Sequence, residues 1–286
     1  MDKIATTKSG IVLVNKPVGI SSNKVVNIVK YALKAKKCGH FGTLDLEGQG
    51  LLLVSVNNAT KLFNYFLNKD KTYQTTFIFG FETDTLDTSG QIVKEKECDI
   101  TRDDVEKILP QMIGKYMQMP PQYSAKKING QIAYKVARSG GELELKPKEV
   151  EIFDIKLLRK IRKNTFKFEI SCSSGTYIRS VCRDIAEKLS TYGSMQCITR
   201  TRCGSFMLED ANTLRNVKAG KINMIRCDIL FDYESVQLDF DTCSKLYIGQ
   251  ILKTDLPDGN YKLYNEKDFV GIAKAENQLL KLEIRL

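Results

Sequence analysis

A glycine-rich stretch that runs directly into an apolar run constrains this chain more than any other feature. Residues 39–50 read Gly-His-Phe-Gly-Thr-Leu-Asp-Leu-Glu-Gly-Gln-Gly, and residues 51–56 read Leu-Leu-Leu-Val-Ser-Val. The apolar run predicts a buried strand, and the glycines allow tight turns or a close approach of the backbone to a ligand. The stretch therefore predicts a loop that is anchored on a buried strand and that presents one carboxylate, Asp45.

The residues alone leave the role of Asp45 open. A loop on a rigid strand is a plausible way to present a catalytic carboxylate, but glycine-rich loops ending in Asp are also common turns. Leu44 and Leu46 flank Asp45, which indicates a partly apolar setting. No Gly-Lys-Ser/Thr follows, so the loop is not a nucleotide cradle of the P-loop type.

The charge of the chain indicates a polyanionic partner. The 286 residues include 44 Lys and Arg against 34 Asp and Glu, a net charge of +10. This balance favours nucleic acid, with a small anionic substrate as the alternative. Residues 233–286 carry 7 Lys and Arg against 9 Asp and Glu, a net charge of −2. We therefore predict that the basic surface lies wholly on residues 1–232.

The cysteines and the single histidine indicate whether a metal site is expected and in which compartment the protein resides. None of the eight cysteines forms a Cys-x-x-Cys pair and the chain has one histidine, so we expect no zinc site. No apolar run approaches the roughly 18 residues of a membrane helix, and the first ten residues lack the apolar core of a secretory signal. Scattered cysteines in such a chain predict a cytoplasmic protein with reduced thiols.

Periodicity and turn residues predict an alternation of strands and helices. We expect strands over 11–15, 51–56, 71–79, 149–158 and 165–172. We expect one helix to begin at Ser21 or Ser22, two helices to cover 59–67 and 101–109, and a fourth helix to begin at Gly175. Residues 159–164 predict a basic turn, and residues 233–286 predict short strands with turns at Gly249, 257–260 and Gly271. The cation-rich segment 124–148 is either a mobile basic arm or an ordinary solvated surface.

Six stretches, in order along the chain, together resemble the bacterial-type tRNA pseudouridine synthases that modify the T-loop uridine 55, the TruB family. They are the Gly-His-Phe-Gly-Thr-Leu-Asp loop at 39–45, Lys-Thr-Tyr at 71–73, and the segments 80–93, 120–138, 172–179 and 200–204. The match runs from about Ile11 to Phe206. The tail is similar to a short PUA-like domain only at Gly259 and 269–273.

The resemblance implies an α+β fold. Its core would be a pseudouridine-synthase-type mixed, mainly antiparallel β-sheet with flanking helices, followed by a small C-terminal β (PUA-like) domain. The implied boundaries are 1–232 for the catalytic domain, with a basic RNA-gripping segment at about 124–148, and 233–286 for the PUA-like domain.

The same resemblance implies a function and a set of residues. The enzyme would isomerise uridine 55 of tRNA to pseudouridine, without cofactor or metal, acting as a cytoplasmic monomer on the T stem-loop and not at a membrane. Asp45 is implied to be the nucleophile, Tyr73 to stack on the uracil, and Arg179 to pair with Asp45 and keep its carboxylate ionised. The implied RNA-binding residues, which hold the loop with the target base extruded, are His40, Tyr177, Lys126, Lys127, Arg138, Arg200 and Arg202.

Two departures from the family pattern keep an alternative open. The family usually continues from its aspartate as Asp-Pro-Leu-Ala-Thr-Gly, whereas residues 45–50 read Asp-Leu-Glu-Gly-Gln-Gly, and Thr199 stands where an arginine usually precedes Arg200. Loss of the proline predicts a looser loop. The alternative is an RNA-binding or RNA-folding protein that has lost catalysis, while an unrelated basic glycosidase does not explain the ordered motifs.

Overall fold

The computed structural model describes residues 8–123, 127–128, 131–132 and 145–286. The chain folds as two compact units. The first unit consists of the described residues up to 46 together with 52–67 and 209–286, and the second of the described residues within 47–51 and 68–208.

The helices and strands of the described residues are short and numerous. The α-helices are α1 (Ser22–Leu33), α2 (Phe63–Leu67), α3 (Arg102–Ile108), α4 (Ile178–Lys188), α5 (Leu214–Lys218) and α6 (Phe240–Tyr247). The strands are β1 (Gly10–Lys16), β2 (Cys38–His40), β3 (Gln49–Val56), β4 (Lys71–Phe79), β5 (Phe81–Thr83), β6 (Ile92–Glu95), β7 (Gly114–Gln118), β8 (Lys127–Ile128), β9 (Gln131–Ile132), β10 (Lys148–Arg162), β11 (Thr165–Cys172), β12 (Gly193–Cys203), β13 (Phe206–Met207), β14 (Asn212–Thr213), β15 (Met224–Arg226), β16 (Glu234–Gln237), β17 (Leu252–Lys253), β18 (Gly259–Asn265), β19 (Asp268–Glu276) and β20 (Leu279–Arg285).

In the first unit, β1 and β3 are buried neighbours in one sheet. Strand β14 pairs parallel with β1, β15 pairs antiparallel with β1, and β2 pairs antiparallel with β3. Helix α1 begins where the sequence predicts, because the side chain of Ser21 accepts the backbone N–H of Lys24. Its apolar face buries Val25, Val26 and Val29.

Residues 234–285, within the same unit, carry a separate five-stranded sheet in the order β16-β18-β19-β20-β17. Leu246, Tyr261, Leu263, Leu280 and Leu282 belong to its apolar cluster. The prediction of short strands omitted α6, whose side-chain cap is Asp239.

The predicted turn at Gly271 is wrong, because Gly271 lies inside β19. Its φ is +150°, and a Cβ there would lie 1.9 Å from the carbonyl oxygen of Ile284 on the neighbouring strand. A glycine at this position therefore lets two neighbouring strands approach closely beside a register shift, and it does not mark a turn.

In the second unit, five strands form a sheet in the order β12-β4-β11-β10-β7. All four pairings between neighbouring strands are antiparallel. The apolar cluster beneath this sheet includes Phe77, Phe166 and Phe168 from the strands, together with Val105 of α3 and Val181 of α4. The predicted α+β class with a mixed, mainly antiparallel core and a strand-rich C-terminal part is confirmed.

The basic stretch 159–164 was predicted as a turn, and most of it is strand. Strand β10 continues to Arg162, pairing Arg159 with Lys167 and Arg162 with Thr165. Two register shifts in this part of β10 let the strand continue past its polar residues, so the chain reverses only at 163–164.

Candidate active site

The glycine-rich stretch is anchored at both ends, on the buried strand β3 that the sequence predicts and on strand β2, which it does not. Strand β2 pairs with β3 through Gly39 opposite Ser55 and His40 opposite Val54. Phe41 follows, is almost fully buried, and stacks on Phe66 with ring centroids 4.6 Å apart. These contacts fix where residues 42–48 leave the sheet, and Asp45 is exposed on that loop.

The two neighbours of Asp45 are held by residues that run from the end of β1 to the start of α1. Leu44 N donates to Ser22 Oγ, and Ser22 Oγ donates to Leu44 O, both at 2.9 Å. Leu46 O accepts from Gly19 N at 2.9 Å and from Lys16 Nζ at 3.3 Å. The backbone on either side of Asp45 is therefore fixed by hydrogen bonds.

Lys16 and Ser22 are buried, with side chains that serve this loop. Lys16 is 0% exposed, and its Nζ also donates to Pro17 O at 3.1 Å and Ile20 O at 2.6 Å. A buried ammonium is stable only with several acceptors, and here backbone carbonyls supply them. These hydrogen bonds therefore restrain the loop, although it lacks the proline that is usual in the family.

In the second unit, Tyr73 lies on β4 between two strands. It pairs with Ile170 of β11 and with Arg200 of β12. Burial raises the pKa of Tyr73 to about 12, although a hydrogen bond from Arg200 and its charge act in the opposite direction. The hydroxyl of Tyr73 is therefore protonated at neutral pH.

Arg200 is buried rather than exposed at the protein surface. It is 2% exposed, and its Nε donates to Leu51 O at 2.7 Å. Gly50 makes this approach possible: its φ is +101°, and a Cβ there would lie 2.4 Å from Arg200 O. The RNA-binding role predicted for Arg200 stays a prediction, and its contacts show it as the partner of Tyr73.

Arg179 lies in the first turn of α4 and is 7% exposed. Its Nη1 donates to Thr85 O at 2.8 Å, and its Nη2 donates to Tyr123 O at 3.0 Å. Nη1 also lies 3.5 Å from Oδ2 of Asp87. The helix dipole disfavours a cation at a helix start, and Asp87 supplies a carboxylate partner there. The predicted pairing of Arg179 with Asp45 stays a prediction.

The start of α4 is fixed by a buried amide that the sequence analysis did not single out. Gln118 is 1% exposed, and its Oε1 accepts Tyr177 N at 2.9 Å while its Nε2 donates to Tyr177 O at 3.3 Å. The same Nε2 donates to the hydroxyl of Tyr116 at 2.7 Å. Tyr177, predicted to bind RNA, thereby takes its place directly before the helix that carries Arg179.

The structure describes only some of the remaining residues that were predicted to bind RNA. Arg202 is partly buried and forms a salt bridge of 2.7 Å with Asp70, and its Nε donates to the hydroxyl of Thr72 at 3.0 Å. His40 is half-buried at the end of β2. Lys127 begins β8, and Lys126 and Arg138 lie outside the described residues. Their RNA-binding roles stay predictions.

The described residues contain no group of three or more His, Cys, Asp or Glu side chains that could hold a metal ion. In the same part of the chain, no helix is long and apolar enough to cross a membrane.

Comparison with known proteins decides the family. Residues 30–178 match the TruB family pseudouridylate synthase N-terminal domain. The tRNA pseudouridine synthase B of Caldanaerobacter subterraneus subsp. tengcongensis is 36% identical over 276 residues, which cover 95% of this chain and 97% of that protein. The protein of the same name from Aquifex aeolicus is 35% identical over 278 residues, which cover 95% of this chain and 97% of that protein.

This chain belongs to the TruB family of pseudouridylate synthases.

Solved structures agree with the fold. The chain is similar to a protein in the crystal structure of a Cbf5-Nop10-Gar1 complex, with a TM-score of 0.69 and 20% identity over 97% of this chain and 84% of that one. It is likewise similar to a protein in the archaeal box H/ACA sRNP Nop10-Cbf5 complex, with a TM-score of 0.68 and 19% identity over 96% of this chain and 85% of that one. At these identities the likeness shows the fold alone.

Four residues have well-defined contacts in the structure, but the sequence alone gave little indication of their roles. Asp87 and Gln118 stand inside or beside quoted motifs, whereas Lys16 ends β1 and Ser22 begins α1. A buried lysine or serine cannot be recognised from one sequence, because its acceptors are backbone carbonyls. The TruB match could have directed attention to Asp87, which lies in the segment 80–93 that carries the resemblance.

Proposed function

We propose that this chain converts uridine 55 in the T loop of tRNA to pseudouridine, with Asp45 as the nucleophile. The observation that carries the proposal is the 36% identity to a tRNA pseudouridine synthase B over 95% of the chain. The ordered motifs support it, since the nucleophile, tyrosine and arginine positions of the family are all present as Asp45, Tyr73 and Arg179.

The reaction needs no redox partner, because product and substrate are isomers. The bond between C1′ and N1 breaks, the uracil turns, and a bond between C1′ and C5 forms. C5 then loses its proton and N1 takes up one, so the atoms balance. A carboxylate is suited to trap or stabilise the positive charge that develops at C1′, as in retaining glycosidases. We assign this to Asp45, which stands exposed on a loop whose flanking residues are hydrogen-bonded.

Tyr73 and Arg179 would serve the base and the carboxylate. The high pKa of Tyr73, caused by burial, leaves a neutral phenol at neutral pH, so Tyr73 offers a ring face and a hydroxyl rather than a phenolate base. Arg179 would hold Asp45 ionised and oriented, with Asp87 and Thr85 fixing its guanidinium. His40, Tyr177 and the cations predicted to bind RNA would hold the loop with its uridine extruded.

The direct experiment is to incubate the purified protein with unmodified tRNA transcript and to map pseudouridine at each position. We expect product at position 55 alone, and none in a transcript whose uridine 55 is replaced by cytidine. Tight binding without product at any position would replace the proposal with an RNA-binding or RNA-folding function. Product elsewhere in the tRNA would keep the chemistry and overturn the assigned position.

A further inference from the structure

Helix α4 begins without the features that usually stabilise a helix start. Its N-cap residue, Tyr177, makes no side-chain capping hydrogen bond, and the first turn contains no acidic residue. That turn instead carries Arg179, a cation at the positive end of the helix dipole. The local sequence therefore does little to hold the start of α4, and contacts from elsewhere in the chain decide its position.

Gln118, the last residue of β7, contacts both backbone groups of the N-cap residue. Its Oε1 accepts Tyr177 N at 2.9 Å, and its Nε2 donates to Tyr177 O at 3.3 Å. A backbone N–H only donates and a carbonyl only accepts, so these two partners fix the orientation of the amide. The bond to Tyr177 N is the one that a glutamate of the helix itself makes in a capping box. Here a side chain 59 residues away supplies it.

Gln118 is itself held by a chain of hydrogen bonds that ends on α4. Its Nε2 also donates to Tyr116 Oη at 2.7 Å, and that hydroxyl donates to Asp184 Oδ2 at 3.0 Å. Asp184 Oδ1 accepts from Arg183 Nε at 3.0 Å and from Arg183 Nη2 at 2.6 Å. Burial and the charge of Asp184 raise the pKa of Tyr116, so its hydroxyl stays protonated and can donate. Both polar atoms of the Gln118 side chain thus have partners, which holds the amide in one orientation.

We propose that Gln118 is a positioning residue for the reaction, which holds the guanidinium of Arg179 in place through the backbone of Tyr177. This inference rests on the proposed function, in which Arg179 orients the carboxylate of Asp45. The guanidinium donates to two backbone carbonyls, at 2.8 and 3.0 Å, and lies 3.5 Å from Asp87. A shift of the helix start would disturb all three contacts, and a displacement of about 1 Å can cost on the order of a hundredfold in rate.

The first test compares the single-turnover rates of full-length Gln118→Met and the wild type on an unmodified tRNA transcript. Methionine has a similar length but forms neither bond to Tyr177, so we expect a rate loss on the order of a hundredfold at saturating enzyme. The tRNA dissociation constant should change much less than the rate. Circular dichroism melting curves show whether each variant is folded at the assay temperature.

Tyr116→Phe is the matched control for Gln118→Met. It removes a hydroxyl from the same chain of hydrogen bonds but leaves both bonds between Gln118 and Tyr177. We expect its rate to stay close to that of the wild type. If Tyr116→Phe is as slow as Gln118→Met, the loss belongs to the packing of β7 against α4, and the positioning role is overturned.

A double-mutant cycle with Arg179→Ala distinguishes positioning from general stability. If Gln118 acts through the guanidinium, Gln118→Met should slow the Arg179→Ala enzyme little further, because the group that it positions is already absent. A purely structural role predicts the same factor in both backgrounds, since independent effects add as free energies. Equal factors would overturn the proposal.

Gln118→Glu repeats the comparison if Gln118→Met does not fold. A carboxylate still accepts Tyr177 N but cannot donate to Tyr177 O, so we expect this variant to lose rate as well. An active wild type together with a variant of Gln118 that is folded and keeps the wild-type rate would overturn the positioning role alone. A wild type that forms no product at any position would instead overturn the proposed function on which this role rests.

Discussion

Asp45 lies on a glycine-rich loop whose sequence does little to restrict its backbone. Hydrogen bonds from residues outside the loop restrain it. The hydroxyl of Ser22 holds both backbone groups of Leu44, and Gly19 and Lys16 hold the carbonyl of Leu46. The loss of the family's proline predicted a looser loop. That effect stays a prediction, and the hydrogen bonds made to the carbonyl of residue 46 act against it.

Ser22→Ala should slow catalysis more than it weakens RNA binding. The change leaves two backbone groups of Leu44 without their partner, at a cost of roughly 1–3 kcal/mol in the free energy of unfolding. The freed loop can misplace Asp45, and a shift of about 1 Å can cost on the order of a hundredfold in rate. Single-turnover rates and tRNA dissociation constants, measured side by side, check this.

Ser21→Ala is the matched control for that change. Ser21 caps α1 through Lys24 N and is exposed, and loss of a cap costs about 0.5–2 kcal/mol, a similar loss of stability. We expect Ser21→Ala to keep the wild-type rate. Equal rate losses in the two variants would mean that Ser22 acts through general stability and does not position Asp45.

Tyr73 should ionise late in an alkaline titration. Burial raises its pKa to about 12, above the model-peptide value of about 10. Because the folded-state pKa is raised, Tyr73 contributes stability that is present below pH 10 and is lost as the pH rises towards 12. The tyrosinate absorbance of the wild type minus that of Tyr73→Phe should stay flat through pH 10 and rise near pH 12. A midpoint near pH 10 in this difference would contradict the raised pKa of this partly buried phenol.

At the scale of secondary-structure elements, the sequence predicted helix α4 but not the contacts that hold its start in place. Gly175-Thr176-Tyr177 predicted the approximate start, and α4 runs over Ile178–Lys188. The helix start is held by Gln118 and by the turn that contains Thr85 and Asp87. Those partners are 59 to 94 residues away in sequence, and periodicity carries no information at that separation.

Arg179→Ala should lower turnover by a factor on the order of a hundred or more. If Arg179 pairs with Asp45 once the target base closes the pocket, it keeps that carboxylate ionised and oriented. Removing one partner of a buried pair typically costs about 3–5 kcal/mol, at about 1.4 kcal/mol per tenfold in rate. Arg179→Lys should recover only part, because lysine cannot donate to Thr85 O and Tyr123 O with one planar group. Single-turnover rates check both variants.

Arg183→Ala provides the comparison on the same helix. Arg183 is partly buried and pairs with Asp184 and the carbonyl of Met119. We expect its loss to lower stability with little effect on the single-turnover rate. If Arg179→Ala and Arg183→Ala slow the reaction equally, the effect belongs to the helix as a whole and not to the guanidinium of Arg179.

Strand boundaries were predictable where apolar residues alternate and not where polar residues continue a strand. Strand β4 matches its prediction at both ends, because Lys71–Phe79 alternates and is rich in β-formers. Strand β10 was cut short in the prediction, because Arg159, Lys160 and Arg162 look like a turn. Bulges and pairing with β11 keep them in the sheet, and a single sequence does not reveal pairing.

At the scale of the whole molecule, the sequence predicted the class of the fold well and its organisation less directly. The α+β class and the family follow from motifs that lie in order. The boundary between 232 and 233 stays a prediction. Residues 234–285 do carry their own sheet and apolar cluster, yet 209–286 group with the N-terminal residues in one compact unit.

The most direct test of the account compares the wild type with Asp45→Asn on an unmodified tRNA transcript. The amide keeps the size of the side chain and removes its charge. We predict that pseudouridine formation at position 55 falls by a factor on the order of a thousand or more, as when a nucleophile is removed from other enzymes. RNA affinity should stay close to that of the wild type. An Asp45→Asn rate within a factor of about ten of the wild type, a difference of about 1.4 kcal/mol, would contradict the assignment of Asp45 as the nucleophile.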